Sequence, residues 1–257
     1  MPMSYWFANL MFFGIVIGAS LLMLWFARRF RGNLDETDRI GSVVGVATAV
    51  YSVILGMIVV AAWQRFNDAE MLLGDESNAL FMISRLAENY PADVRDEINA
   101  LLLSYGEAVS IDELGENPKF SPVASASMRK LYDVHTALAE NPQVPGVVVQ
   151  ESIASVLALE QARGQRITLV NNNLPWQFWL LLVVGAVVTV SFVSLFTTKR
   201  KIVHVPIVVA TALVISLTLA LLMDLDQPLD PPIRADVVNY GHALDYLRSE
   251  VQTTPVP

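Results

Sequence analysis

The chain has 257 residues, 54% hydrophobic and 16% charged, which is too apolar for an ordinary soluble domain, where charged residues run at about a quarter. It contains no cysteine, which excludes disulfide frameworks, thiolate nucleophiles and thiolate metal sites. A formal net charge of -8 argues against nucleic acid as a partner, because phosphate binding needs clustered Lys and Arg that carboxylates do not outnumber.

The first apolar run, Tyr5 to Phe26, is predicted to span a membrane, with Tyr5, Trp6 and Trp25 at its ends, where aromatic side chains favour the interface. No basic region precedes it and its arginines follow it, so it reads as a retained span and not a secretion signal. Arg28, Arg29 and Arg31 close it, and Asn33 to Asp38 form a polar connection. From Gly41 to Trp63 there is no Asp, Glu, Lys, Arg or His, and about 20 apolar residues suffice to cross a bilayer as a helix. Gly45, Ala49, Ser52 and Gly56 lie close to one face of this second span. Small residues so placed let another helix approach closely in lipid, and the same four are the candidates for lining a pore.

No proline follows until Pro91, so the helix is expected to leave the membrane unbroken through Gln64, Arg65 and Phe66. Beyond the span Leu72, Ala79 and Leu86 recur every seven residues, flanked by Leu73, Leu80, Phe66, Ile83 and Ala87. Such a stripe needs partners, in this chain or in a neighbouring subunit. A second polar-region helix is predicted from Pro91, burying Ile98, Leu101, Leu102 and Tyr105, with a break at Gly115 to Pro122. A third carries Met128, Leu131, Val134 and Leu138, and a fourth runs from about Val147 to Asn171, burying Val149, Ile153, Val156, Leu157, Ile167 and Val170. A third span follows Pro175 and runs to Phe196; a fourth runs from Ile202 to Met223, stopped by Asp224, Asp226 and Pro228. The tail holds one weakly amphipathic stretch, Val237 to Val251. The fold is therefore expected to be all-α, with four transmembrane helices in two hairpins. The hairpins occupy 1–63 and 175–223, a helical extramembrane domain 64–174, and a polar tail 224–257.

Basic residues concentrate in the two short connections: Arg28, Arg29, Arg31 and Arg39 in 27–40, and Lys199, Arg200 and Lys201 in 197–201. The positive-inside rule places both in the cytoplasm, with the middle domain and both termini outside.

No charged side chain lies in the central parts of the spans, which weighs against an ion-coupled carrier but not against a channel with an apolar constriction. Arg65 follows the second span and Asp224 and Asp226 follow the fourth, so these groups share one membrane surface. They are expected to form an interfacial ion pair that sets helix register, or a site at a pore mouth. Arg163, Arg166 and Arg234 are candidates for the same network or for lipid headgroups.

His135, His204 and His242 are far apart, so neither a metal site nor a cofactor is expected. His135 reads as a surface or partly buried residue and His204 as an interfacial cation. There is no G-x-S-x-G, H-E-x-x-H or glycine-rich phosphate loop. Ser77, Glu76 and His135 are read as surface or packing residues and not as a triad, so an enzyme is not expected.

The second span ends Ala62, Trp63, Gln64, Arg65, Phe66, with Asp75, Glu76, Ala79 and Leu80 downstream; Arg163 and Arg166 lie in Leu159 to Leu169, ahead of Pro175. The fourth span ends Met223, Asp224, Leu225, Asp226, Gln227, Pro228, Leu229. With two membrane hairpins flanking a helical region, this resembles the bacterial bestrophin-like domain family over roughly Val43 to Arg234. The resemblance implies distant similarity to bestrophins, pentameric anion channels whose pore narrows at an apolar neck on a membrane helix. Two departures stand out. A phenylalanine-rich neck and an acidic calcium clasp have no counterpart in or after the second span, and bestrophins carry their helical region in the cytosol. The expected function is an oligomeric, anion-passing channel in a lipid bilayer, with inorganic anions as its ligands. The alternative is a non-conducting sensor or scaffold whose helical domain binds a partner.

Overall fold

The computed structural model describes residues 37–115, 118–139, 144–195, 201–229 and 238–253, together with Gly14, Gly18, Leu22 and Trp25. All regular structure among these residues is helical: α1 Thr37–Ala87, α2 Ala92–Ala108 with a π-helical turn Val109–Glu113, α3 Pro122–Leu138, α4 Gly146–Asn171, α5 Trp176–Leu195, α6 Lys201–Asp226 and α7 Val238–Thr253. Segments of three helices are long and apolar enough to cross a membrane: Gly45–Ala87, Trp176–Val193 and Pro206–Asp226. The expected span from Tyr5 to Phe26 lies outside the described residues apart from four positions, so the described residues carry three candidate spans and not four.

The chain forms two compact units. Among the described residues the first comprises α1 up to Arg65 together with 173–227, and the second comprises 66–172, 228–229 and α7. The 51 residues of α1 run through the expected exit at Trp63 without interruption, because the sequence there offers neither proline nor glycine to end a helix.

In the first unit α1 buries Tyr51, Ile58 and Ala62, α5 buries Leu182, Ala186 and Val190, and α6 buries Val208, Ala212, Ile215, Leu219 and Leu222. These spacings of three, four and seven put each set on one helix face. The Tyr51 hydroxyl donates to the Leu182 carbonyl at 3.0 Å, and its ring lies so close to Gly185 that a Cβ there would collide with it. Ser52, Thr211 and Thr218 donate to the carbonyls of Thr48, Ile207 and Val214, each 2.9 Å away, so these hydroxyls are satisfied within their own helices, as lipid requires.

In the second unit α1 carries two buried heptad columns: Ala69, Glu76 and Ile83 beside Phe66, Leu73, Leu80 and Ala87. Of the expected stripe, Ala79 and the flanking Phe66, Leu73, Leu80, Ile83 and Ala87 are buried, whereas Leu72 and Leu86 are only partly covered. The seam instead takes in Glu76, whose charge is met from α4. Here α2 packs on α3 and α7, and α3 on α4. Gly106 of α2 meets Leu244 of α7 so closely that a side chain there would clash. On α4 the buried face is Val149, Ser152, Ser155, Val156, Leu159, Ala162, Arg163 and Arg166. The expected large apolar residues fare differently: Leu157 is exposed, and Ile153, Ile167 and Val170 are half-buried.

Candidate functional site

The centre of the second unit is a chain of four buried charges. Glu76 enters from the α1 seam, Glu113 from the end of the π-helical turn after α2, and Arg163 and Arg166 from successive turns of α4. The wide turn suits such a position, since π-helical turns recur where a helix must present one residue out of register. It closes at Gly115, where a Cβ would strike the Ile111 carbonyl oxygen. Ser121 caps α3, accepting from the Ala124 amide at 3.3 Å while its own hydroxyl donates to Asp112 at 2.6 Å.

Arg166 donates from Nε to Glu76 at 2.8 Å and from Nη2 to Glu113 at 2.8 Å. Arg163 donates from Nη2 to Glu113 at 2.5 Å, from Nε to its other oxygen at 3.3 Å, and from Nη1 to the Ser125 hydroxyl at 3.1 Å. The Ser121 amide donates to Glu113 at 3.0 Å. Tyr105 of α2 donates to Glu76 at 2.6 Å, and the Tyr240 hydroxyl of α7 lies 3.5 Å from the same oxygen. The Arg163 guanidinium also lies 5.1 Å from the Phe120 ring centroid and 5.7 Å from that of Tyr105, within cation–π range.

Two cations face two anions, and the pKa directions follow. Burial pushes the Glu113 carboxyl up, but hydrogen bonds from Arg163, the Ser121 amide and Arg166 outweigh it and hold the group below the usual glutamate value. Burial acts to lower Arg166 and Arg163; the carboxylates beside them reverse that and raise both. Burial, reinforced by the Glu76 charge, lifts the Tyr105 and Tyr240 phenols well above the ordinary tyrosine value. The tyrosines are therefore lasting donors and Glu113 a lasting acceptor. Such an arrangement clamps α1, α2, α4 and α7 together and leaves no free base or nucleophile among these groups.

Of the residues singled out from sequence, Arg65 and Asp226 meet at 3.0 Å, and the Leu174 amide donates to the same Asp226 oxygen at 2.9 Å. Asp224 lies two residues before the end of α6, and its Oδ1 has no hydrogen-bond partner among the described residues. Arg163 and Arg166 are engaged by Glu113 and Glu76 instead of the expected network, because the buried face of α4 carries them into the core of the second unit. Arg234 lies outside the described residues. Gly45, Ala49 and Gly56 are exposed on the side of α1 turned away from Tyr51 and Ile58. Ser52, also exposed, stands with Gly56 on a groove lined further by Thr211, Val214 and Thr218 of α6. His135, expected near the surface, is fully buried: Nδ1 lies 2.7 Å from the Leu131 carbonyl oxygen, and Nε2 has no partner among the described residues. Glu76 and Glu113 were not marked as site residues by sequence. A signal existed for the first: Glu76 falls seven residues after Ala69 and seven before Ile83, a carboxylate in a helix seam.

The Bestrophin-like domain model matches residues 13–236. The chain belongs to the bestrophin-like family. Bacterial bestrophin homologs share its fold. A tryptophan-to-alanine variant of a bacterial bestrophin homolog from Klebsiella pneumoniae aligns at a TM-score of 0.77 and 13% identity, covering 98% of this chain and 100% of its own. A bacterial bestrophin homolog from Klebsiella pneumoniae solved by Zn-SAD phasing aligns at 0.71 and 12%, over 97% and 99% of the two chains. A membrane protein carrying a glycine-to-alanine change aligns at 0.73 and 12%, over 96% and 99%. At these identities the likeness is one of fold. No match is found among curated proteins.

Proposed function

We propose that this bestrophin-like chain is the subunit of an oligomeric, anion-passing channel whose path is bordered by the face of α1 that carries Gly45, Ala49, Val53, Gly56 and Val60. One observation carries the reading: this face is apolar or small and has no cover among the described residues, with Val53 62% and Val60 56% exposed, while the face bearing Tyr51, Ile58 and Ala62 is packed. At about 100° per residue, 49, 53, 56 and 60 form one row. A row of small and β-branched residues on a charge-free span suits an apolar constriction that gates by drying. Ser52 sits on the flank of this row and contributes at its edge. Arg65 is neutralised by Asp226 and acts as a clip at the end of the span, so the path does not depend on it to concentrate anions.

Single-channel recording on the purified protein in planar bilayers tests the proposal. Anion-selective steps support it, and silence under every voltage and salt gradient overturns it. A second reading, a non-conducting sensor that passes a shift along the unbroken α1, is favoured by the continuity of that helix through Arg65. Because the chain is naturally thiol-free, cysteine labelling separates the two. Val53→Cys and Gly56→Cys react with a water-soluble reagent in the channel reading; in the sensor reading they stay unreactive while exposed Asn89→Cys labels. We further propose that 27–40 and 197–201 are cytoplasmic with the second unit outside. A reporter inserted between Gly115 and Pro118 that is active only in the cytoplasm overturns this orientation.

A further inference from the structure

A cavity of about 170 Å³ lies within the second unit, against the exposed side of the charge network. Its polar end is formed by Arg166, Glu113 and Lys119, and its wall by Phe120, Ile167 and Val170. We propose that it binds a small organic anion, a short-chain monocarboxylate whose head meets Arg166 and Lys119 and whose hydrocarbon part lies on the apolar wall.

The charged groups that line the cavity have their unmet hydrogen-bonding capacity on the donor side, and Asn171 adds an amide to the lining. Arg166 is 1% exposed, and its Nε and Nη2 are spent on Glu76 and Glu113. Its Nη1 has no partner among the described residues. The small surface that Arg166 keeps leaves Nη1 reachable from the cavity, and a charged acceptor there gives a stronger bond than a neutral one. Glu113, by contrast, is filled: one oxygen takes Arg163 and the Ser121 amide, the other Arg163 and Arg166. It has no remaining pull on a cationic ligand. Lys119 is held by its backbone amide, which donates to the Asp112 carbonyl at 2.7 Å. Its exposed ammonium makes no salt bridge among the described residues. Among the described residues that line the cavity, the cations Arg166 and Lys119 exceed the carboxylate Glu113 by one, which matches a monoanion.

Size and lining narrow the class. The volume is several times the ~30 Å³ that a water occupies in the liquid and below the roughly 300–1,000 Å³ of drug-sized pockets. The ring of Phe120, itself 62% exposed, with Ile167 and Val170, gives a hydrocarbon tail a surface to leave water on. A bare inorganic anion would use only the polar end.

This site lies within the second unit, and its test does not depend on conduction. Sodium butyrate titrated calorimetrically into the full-length protein in detergent, at constant ionic strength, is expected to give saturable heat with one site per chain. Sodium chloride is expected to give none. Lys119→Glu, at an exposed position, and Ile167→Trp, which fills the cavity, are each expected to weaken butyrate by about tenfold or more. Lys119→Glu is expected to keep the native melting temperature, so its loss of binding is not a loss of fold. No saturable heat from butyrate, unchanged binding in Lys119→Glu, or chloride binding as well as butyrate overturns the proposal. Failure of the channel proposal shows instead as silence in bilayers with butyrate binding intact.

Discussion

The two parts of α1 obey opposite rules. Up to Arg65 the helix turns Tyr51, Ile58 and Ala62 inward and leaves Val53 and Val60 bare, so apolar side chains lie on both sides and position decides little. Beyond Arg65 the seam is a heptad, the other side carries Asp68, Asp75, Asn78 and Arg85 beside the exposed Met71 and Met82, and the residue at the seam's centre is the carboxylate Glu76. In the first unit close packing rests on a missing side chain, Gly185 under the Tyr51 ring. In the second, packing closes around charges that must all be present together. A single helix can serve both environments because its backbone bonds are internal and only its side chains face the change of solvent.

The largest expected effect comes from breaking the second unit's rule. Glu76→Ala leaves Arg166 with Glu113 alone and deprives Tyr105 and Tyr240 of their acceptor, and removing one partner of a buried pair costs about 3–5 kcal/mol. Chemical denaturation in detergent measures the loss. The double variant Glu76→Leu with Arg166→Met is expected to recover part of it, since two apolar residues need no counter-charge. Full additivity would mean that the two groups do not act as a pair.

Gly185→Ala sharpens the other side of the contrast. The added methyl meets the Tyr51 ring, which its hydroxyl bond to Leu182 holds in place. Overpacking of this kind costs about 1–3 kcal/mol, and Tyr51→Ala in the same chain is expected to relieve the collision. A melting temperature insensitive to Gly185→Ala would show that the ring is free to move.

The smallest expected effect is pH dependence confined to the second unit. Burial lowers the His135 pKa, only partly offset by its bond to Leu131. The imidazole stays neutral in the fold while the unfolded chain takes up a proton near about pH 6.5. Its contribution is complete above that value and declines as the pH falls toward the folded one. Glu113, held below the ordinary value, adds stability that is complete above about pH 4.3 and is lost as the pH drops through its folded value. Melting temperature is therefore expected to fall on acidification from neutral pH, in two stages. His135→Phe is expected to flatten the first stage and leave the second.

Much of the helical layout was legible because its signals are local. Pro91, Pro122 and Pro145 stand immediately before or at the first residues of α2, α3 and α4, and the run from Gly41 to Trp63 contains nothing to stop a helix. Most of the apolar stripe of α1 was legible, but Leu72 and Leu86 are only partly buried, because Leu72 and Leu73 lie side by side and apolarity alone does not choose between them. The same ambiguity concealed Glu76. Arg163 and Arg166 attracted attention as charges near a span, but their partners are 50 and 90 residues away in sequence, at a range that spacing does not reach.

By itself, the sequence determined that this is a helical, membrane-spanning member of a recognisable family, because apolar length, proline and glycine act within a few residues of where they stand. Tertiary structure alone decided which charges are inside and with whom. A buried carboxylate and a buried guanidinium are each unfavourable alone and acceptable only together, so their location follows from which helix faces meet and cannot be read from either residue's neighbours.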